Sequence, residues 1–195
     1  MNFLKKLFSS KSEIRKEEIK KQDVDLSLDD AFVHNFIQKG GKFLYCTKMD
    51  EVVVNLTNII KENNWDTIIC SDFDLLKLTK KVKIKTKDSF DNENPFFTGC
   101  EHLIANDGSI MFTSNQLGSS RFNSFSENFI VYATTSQMVS DTNEGLTSIK
   151  TRFSGNIPTN ISAIKNFDHK NIETDSLDFS STNTKNLYLI LFEDL

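Results

Sequence analysis

At 195 residues, with 38% hydrophobic and 26% charged residues but only 7 Gly and 2 Pro, the chain suits one globular domain plus short extensions and is neither low-complexity nor collagenous. A formal net charge of -4 argues against the clustered basic surface that a phosphate backbone requires, so no nucleic-acid partner is expected. The charge is unevenly placed: residues 1–22 hold seven Lys or Arg and three Glu, net +4, which leaves -8 for the rest.

Residues 1–26 therefore read as a basic N-terminal extension and linker, and 27–195 as the domain. Phe3, Leu4, Leu7 and Phe8 share one helical face opposite Lys5, Lys6 and Lys11, the pattern of a short surface-docking helix. The segment has no apolar h-region or small-residue cleavage site. The longest apolar run, Leu187 to Phe192, falls far short of the about 20 residues that cross a bilayer. No transmembrane segment is expected, and the expected location is cytoplasmic.

Strand and helix signals then alternate. Ser27 with Asp30 opens a helix that stops at Gly40-Gly41. Lys42 to Cys46 reads as a strand. Thr47 and Asp50 repeat the capping signal before Met49, Val52, Val53, Leu56, Ile59 and Ile60, which keep the spacing of one buried helical face. Trp65 to Cys70 is a short apolar strand, Ser71 with Asp74 caps a helix holding Leu75, Leu76 and Leu78, and Val82 and Ile84 alternate with lysines as a further strand. Lys85 to Pro95 is polar and irregular. Two short strands, His102 to Asn106 and Ser109 to Thr113, flank Asp107-Gly108, a pair favoured in two-residue type I′ turns. A loop from Ser114 to Glu127 leads to strand Phe129 to Thr134, Asp141 with Glu144 starts a helix through Leu146 and Ile149, and Ile161 to Ile164 and Leu187 to Phe192 supply the last strands. Strands separated by helices imply a parallel sheet, with function in loops beyond the strands' carboxyl ends.

Cys46, Cys70 and Cys100 are widely spaced among apolar residues and read as buried structural thiols. His34, His102 and His169 show no paired spacing, so no metal is expected. His102, in an apolar strand, reads as a satisfied structural residue. No Gly-rich phosphate-binding motif occurs, and no cofactor is expected.

The run Thr98-Gly99-Cys100-Glu101-His102-Leu103-Ile104-Ala105-Asn106-Asp107-Gly108-Ser109-Ile110 resembles the LUD domain of lactate-utilisation proteins B and C, in which a strand ends in Ile-Ala before a polar pair, Gly, and Thr or Ser. Asn128 to Ala133 resembles the family's His-Ile-Val-Val strand, and Met138-Val139-Ser140-Asp141 its Ile-Val-Pro-Asp segment, so the likeness covers roughly residues 95–150. The ending Leu-Phe-Glu-Asp-Leu resembles short members from Bacteroidota. The resemblance implies an α/β fold, mainly a parallel sheet with flanking helices and a β-hairpin insertion, NagB/RpiA/CoA-transferase-like. Two departures bear on mechanism. Asn106-Asp107-Gly108-Ser109 stands where many relatives have Glu-Thr-Gly-Thr, and the stretch from Lys165 onward keeps neither the family's Gly-Pro-Ser nor its Gly-x-His-Gly-Pro motif. No catalytic residue carries over.

Ligand contact is expected at the turn Asn106, Asp107, Gly108 and Ser109 together with Gln116 and Arg121 of the following loop. Arg121 is one of three arginines, and its fork of donors suits a carboxylate or phosphate. Two functions remain open. The first is an accessory subunit or small-anion-binding protein linked to lactate utilisation, not catalytic alone, assisting an iron–sulfur or flavin oxidoreductase that oxidises lactate to pyruvate. The alternative is an independent enzyme on a small carboxylate, sugar-phosphate or acyl substrate.

Overall fold

The structure is a computed structural model that describes residues 26–167 and 184–194. The expected extension up to residue 25, and His169, lie outside the described residues. In chain order the elements are α1 (Leu28–Gln38), β1 (Lys42–Cys46), α2 (Met49–Glu62), β2 (Thr67–Ile69), α3 (Phe73–Val82), β3 (Lys85–Lys87), β4 (Phe96–Thr98), β5 (His102–Ile104), β6 (Ser109–Phe112), α4 (Ser114–Leu117), β7 (Asn128–Thr134), β8 (Met138–Val139), α5 (Thr142–Arg152), β9 (Ser162–Ile164) and β10 (Asn186–Phe192).

Six strands form a parallel sheet in the order β1-β10-β7-β4-β2-β3, and four form a second, mixed sheet, β8-β5-β6-β9. Alternation along the central strands sorts side chains between two cores. Ile130 and Ile190 meet Val52, Leu56 and Ile59 of α2 and Leu75 and Leu78 of α3 on one face. Phe129, Val131, Leu187 and Leu189 meet Phe32 and Phe36 of α1 and Leu103, Ile110 and Phe112 of the second sheet on the other. The outer face of the second sheet buries Ile104 and Met111 under Ile149 of α5. The result is the expected α/β class, with hairpin β5–β6 inserted between β4 and β7. No helix of the described residues is long and apolar enough to cross a membrane. All three cysteines are free and buried.

Local readings differ in several places. The α2 start is held by Glu51, whose carboxylate accepts the Thr47 and Lys48 N–H groups at 2.8 and 3.2 Å, rather than by Asp50. The α3 N-cap is Asp72, which accepts from Asp74 and Leu75 N–H, while Ser71 donates its hydroxyl to the Asp88 carbonyl. Val82 closes α3, because Lys83 turns left-handed at φ 62, and the strand that follows is Lys85–Lys87. Phe96–Thr98, too short to show a period, is a buried inner strand between β2 and β7.

A further difference is the hairpin turn. Ile104 pairs with Ser109, so four residues, Ala105 to Gly108, make the connection instead of two. Gly108 alone of these has positive φ, 66°, and its N–H reaches back to the Ile104 carbonyl at 2.8 Å. A two-residue turn would need Asn106 opposite Ser109, but the Ala105 and Asn106 N–H groups bond the Val139 and Ser140 carbonyls on the β8 side. The strand's other neighbour decides the turn.

Candidate functional site at the open end of the hairpin

The chain leaves β2 towards β3 at one edge of the parallel sheet and leaves β4 towards β7 in the other direction, so the strand order reverses between β2 and β4. Beyond the carboxyl ends of such strands α/β sheets usually bind ligands. At the end of β4, Gly99 and Cys100 lead directly into Glu101.

Glu101 is a carboxylate with 3% exposure. A buried charge is tolerated only when its oxygens are satisfied, and here four side chains do so. Oε1 lies 3.0 Å from Thr113 Oγ1, and accepts from Asn115 Nδ2 and Gln116 Nε2 at 3.1 Å each. Oε2 accepts an N–H of Arg152. The donors come from the first turn after β6. Thr113 caps α4, taking the Asn115 N–H on its hydroxyl, while Gln116 Oε1 accepts the Thr113 N–H at 2.9 Å. One reciprocal cap therefore aims both side-chain amides at one carboxylate. Arg152 closes α5 and is 48% exposed, stacked over Phe153.

Gln137 ties this end of β4 to the end of β7: its Nε2 donates to the Cys100 carbonyl at 2.6 Å and its Oε1 accepts the Thr134 N–H at 2.8 Å. Its own carbonyl lies 3.2 Å from Nδ1 of His102. A carbonyl only accepts, so Nδ1 carries the proton, and in the neutral ring Nε2 is a bare lone pair. Burial pushes the His102 pKa below its ordinary value; the Gln137 contact opposes this and the Arg152 charge adds to it. His102 is therefore neutral near pH 7. Its Nε2 is buried and has no partner among the described residues, so the ring is not the fully satisfied one expected. Cys100 is inert, since burial pushes its thiol far up, and burial likewise moves Cys70 to about 11. A groove of about 490 Å³ lies beside the cluster, lined by Glu144, Thr147, Ser148, Thr151 and Arg152. Among the described residues no three His, Cys, Asp or Glu side chains gather as a metal site.

The residues singled out in the sequence separate into two places. Asn106 is exposed. Asp107 folds its carboxylate onto the Ser109 N–H and hydroxyl at 2.9 and 2.6 Å, and its carbonyl accepts from Lys39 Nζ at 2.5 Å. Gly108 lies so close to α1 that a Cβ would sit 2.4 Å from Phe36 N. Ser109 is buried. The turn is thus pressed against α1. Gln116 belongs to the Glu101 cluster at the opposite end of β6, about 13 Å away at ~3.3 Å per residue. Arg121 is exposed in the loop beyond it; the neighbouring Ser120 carbonyl accepts from Asn160, which precedes β9 where that strand meets Phe112. Glu101, Gln137 and Arg152 were not singled out by the sequence.

These features define an α/β protein with a parallel sheet, a hairpin inserted at the strand-order reversal, and a buried polar cluster at that hairpin's open end. The chain belongs to the LUD domain family, which matches residues 31–192. A crystal structure of a DUF162 family protein from Deinococcus radiodurans shares the fold, with TM-score 0.61 and 13% identity over 86% of this chain and 99% of that one. Ribose 5-phosphate isomerase A from Methanocaldococcus jannaschii aligns with TM-score 0.30 and 14% identity over 73% of this chain and 82% of that one. No curated protein matches.

Proposed function

We propose that this LUD domain protein binds a small carboxylate at Arg152 and serves as an accessory subunit in lactate utilisation, beside an iron–sulfur or flavin oxidoreductase that carries the electrons from lactate to pyruvate. The observation that carries the binding reading is the placement of Arg152. Its guanidinium is held by a buried carboxylate yet the side chain is half exposed and lines the groove along α5. An arginine held in this way is preorganised for a carboxylate, because little of its rotamer freedom is left to lose on binding. The link to lactate rests on the family match. Arg121, on the loop at the same end of the hairpin, is the second candidate contact; the turn Asn106 to Ser109 at the far end supports the fold.

Calorimetric titration of the full chain with propionate and acetate tests the anchor. Arg152→Ala removes a charged hydrogen bond to the ligand and should weaken binding by roughly ten-fold or more, with Arg152→Lys recovering only part. Arg121→Ala measures the loop's share. Equal affinities in wild type and Arg152→Ala would reject the site. Affinity capture from the native lysate should recover an iron–sulfur or flavin oxidoreductase, and capture of none rejects the accessory role.

A further inference from the structure

The two edges of the parallel sheet are built differently. At one, β3 is Lys85-Thr86-Lys87 with every residue exposed, and lysines along an edge oppose further strand pairing. At the other, β1 pairs only with β10, and among the described residues no strand covers its outer side. The Cys46 carbonyl accepts the Glu193 N–H at 2.9 Å, so Cys46, and by alternation Leu44 and Lys42, turn their backbone groups to β10. The N–H and C=O groups of Phe43 and Tyr45 therefore point outwards. The strand's one lysine is laid over the sheet face, with Lys42 Nζ 4.1 Å from the centre of the Tyr188 ring and donating to its hydroxyl at 2.9 Å. Beside this edge Tyr45 and Val54 of α2 are 48% and 56% exposed, and both line a groove of about 560 Å³ with Asp50 and Glu51.

Charge along the strand is self-complementary. Its N-terminal end carries Lys42. At its C-terminal end Glu51 accepts the Thr47 N–H, Glu193 sits beside Cys46 and Asp50 lines the groove, with Lys48 as the opposing charge. We propose that β1 is the docking edge for a second copy of this chain, the two strands pairing antiparallel about a two-fold axis at Leu44 and joining the two six-stranded sheets into one. In that register Phe43 of each copy faces Tyr45 of the other, and each such pair exchanges two backbone hydrogen bonds, which satisfies every outward group of both strands. The same pairing adds two cross-strand aromatic contacts, sets Leu44 on Leu44, and brings each Lys42 to the acidic end of the other strand. A parallel arrangement would instead set Lys42 on Lys42 and the acidic ends on each other. A two-fold contact is closed, so assembly stops at the dimer.

Size-exclusion chromatography with multi-angle light scattering on the full chain at micromolar concentrations should give close to twice the mass of one chain. Tyr45→Lys places on this edge the kind of charge that β3 already carries, and should return the mass of a single chain while the circular-dichroism spectrum stays that of wild type. Leu44→Cys tests the register. Opposed residues that are not hydrogen-bonded to each other in antiparallel strands have Cα atoms about 4.5 Å apart, within the span of a disulfide. The native cysteines are buried, so mild oxidation of Leu44→Cys should link two chains through position 44. A monomeric wild type overturns the proposal, and so does one that dimerises only after residues 1–22 are removed, which would assign the edge to the chain's own basic segment. A dimer that persists in Tyr45→Lys, or one that Leu44→Cys does not crosslink, also overturns it.

Discussion

Removing the carboxylate of Glu101 gives the sharpest test of how the hairpin's open end is held. In Glu101→Leu the shape is nearly kept, but Asn115 Nδ2, Gln116 Nε2 and Arg152 lose their common acceptor. Hydrogen bonds to a charged group contribute about 1.5–3 kcal/mol each when water cannot replace them. Here Asn115 and Arg152 are exposed and Gln116 half-buried, so each donor recovers much of that from water, and roughly 1 kcal/mol per donor remains. Thr113, fully buried, can turn its hydroxyl to Gln116 Oε1 at 3.2 Å and adds little. The sum is about 3 kcal/mol, which at ~2–4 °C per kcal/mol for a chain of this size lowers the melting temperature by roughly 6–12 °C. Glu101→Gln keeps an acceptor at Oε1 and sets an amide against Arg152, so about 1–2 kcal/mol is expected. Urea titrations and thermal melts of both variants give the comparison. A loss below about 0.5 kcal/mol in both, or a larger loss for Gln than for Leu, would refute the view that the carboxylate organises this end of the hairpin.

Leu56→Asp puts an unpaired charge at a fully buried point of α2 and should abolish the cooperative circular-dichroism melt; a near-normal melt would disprove the burial of that face. Gly108→Ala combines left-handed strain with a Cβ 2.4 Å from Phe36 N, so a loss of about 2 kcal/mol or more is expected by urea titration, with propionate binding to the folded fraction unchanged. Because folded His102 holds its proton less tightly than the unfolded side chain, its neutral form contributes stability fully above about pH 6.5, and that contribution is lost as pH falls through the lower folded value. Stability against pH should therefore lose its downward slope below about 6.5 in His102→Phe, and an unchanged slope would show that other groups cause it. A chain beginning at residue 23 should melt like the full chain, since α1 starts at Leu28; loss of cooperativity would place the basic segment in the fold.

Long periodic patterns carried the fold. The six apolar positions read on α2 include its four buried residues, and β7 and β10 were visible as apolar runs because central parallel strands are buried on both faces, whereas β1, at the sheet edge and only partly buried, showed as the short apolar stretch Phe43 to Cys46. Among the elements that escaped were two three-residue strands. Lys85–Lys87 is exposed at an edge, where charge suits a strand that must not pair further, so nothing apolar marks it. Phe96–Thr98 is apolar but shorter than one period of any pattern. The caps failed for a related reason: at Asp50-Glu51 and Ser71-Asp72 two side chains that can satisfy helix ends are adjacent, and only the backbone's entry angle decides between them.

The site was partly legible for a different physical reason. A carboxylate between Cys100 and His102 in an apolar strand must either point to water or find several donors, so a partnered Glu101 follows from burial alone once that strand is placed inside. Which donors serve it does not follow, since they stand 12, 14, 15 and 51 residues further along the chain. Proximity in sequence favours Arg121, which follows the hairpin; topology favours Arg152, because β8 pairs alongside β5 and its parallel register sends α5 back across the outer face of the second sheet. The same packing brings Gly145 onto His102, where an added Cβ would stand 3.5 Å from His102 Cδ2. A glycine within a helix reads as a local weakness, and only the crossing of α5 over β5 shows it as the point where helix and strand meet.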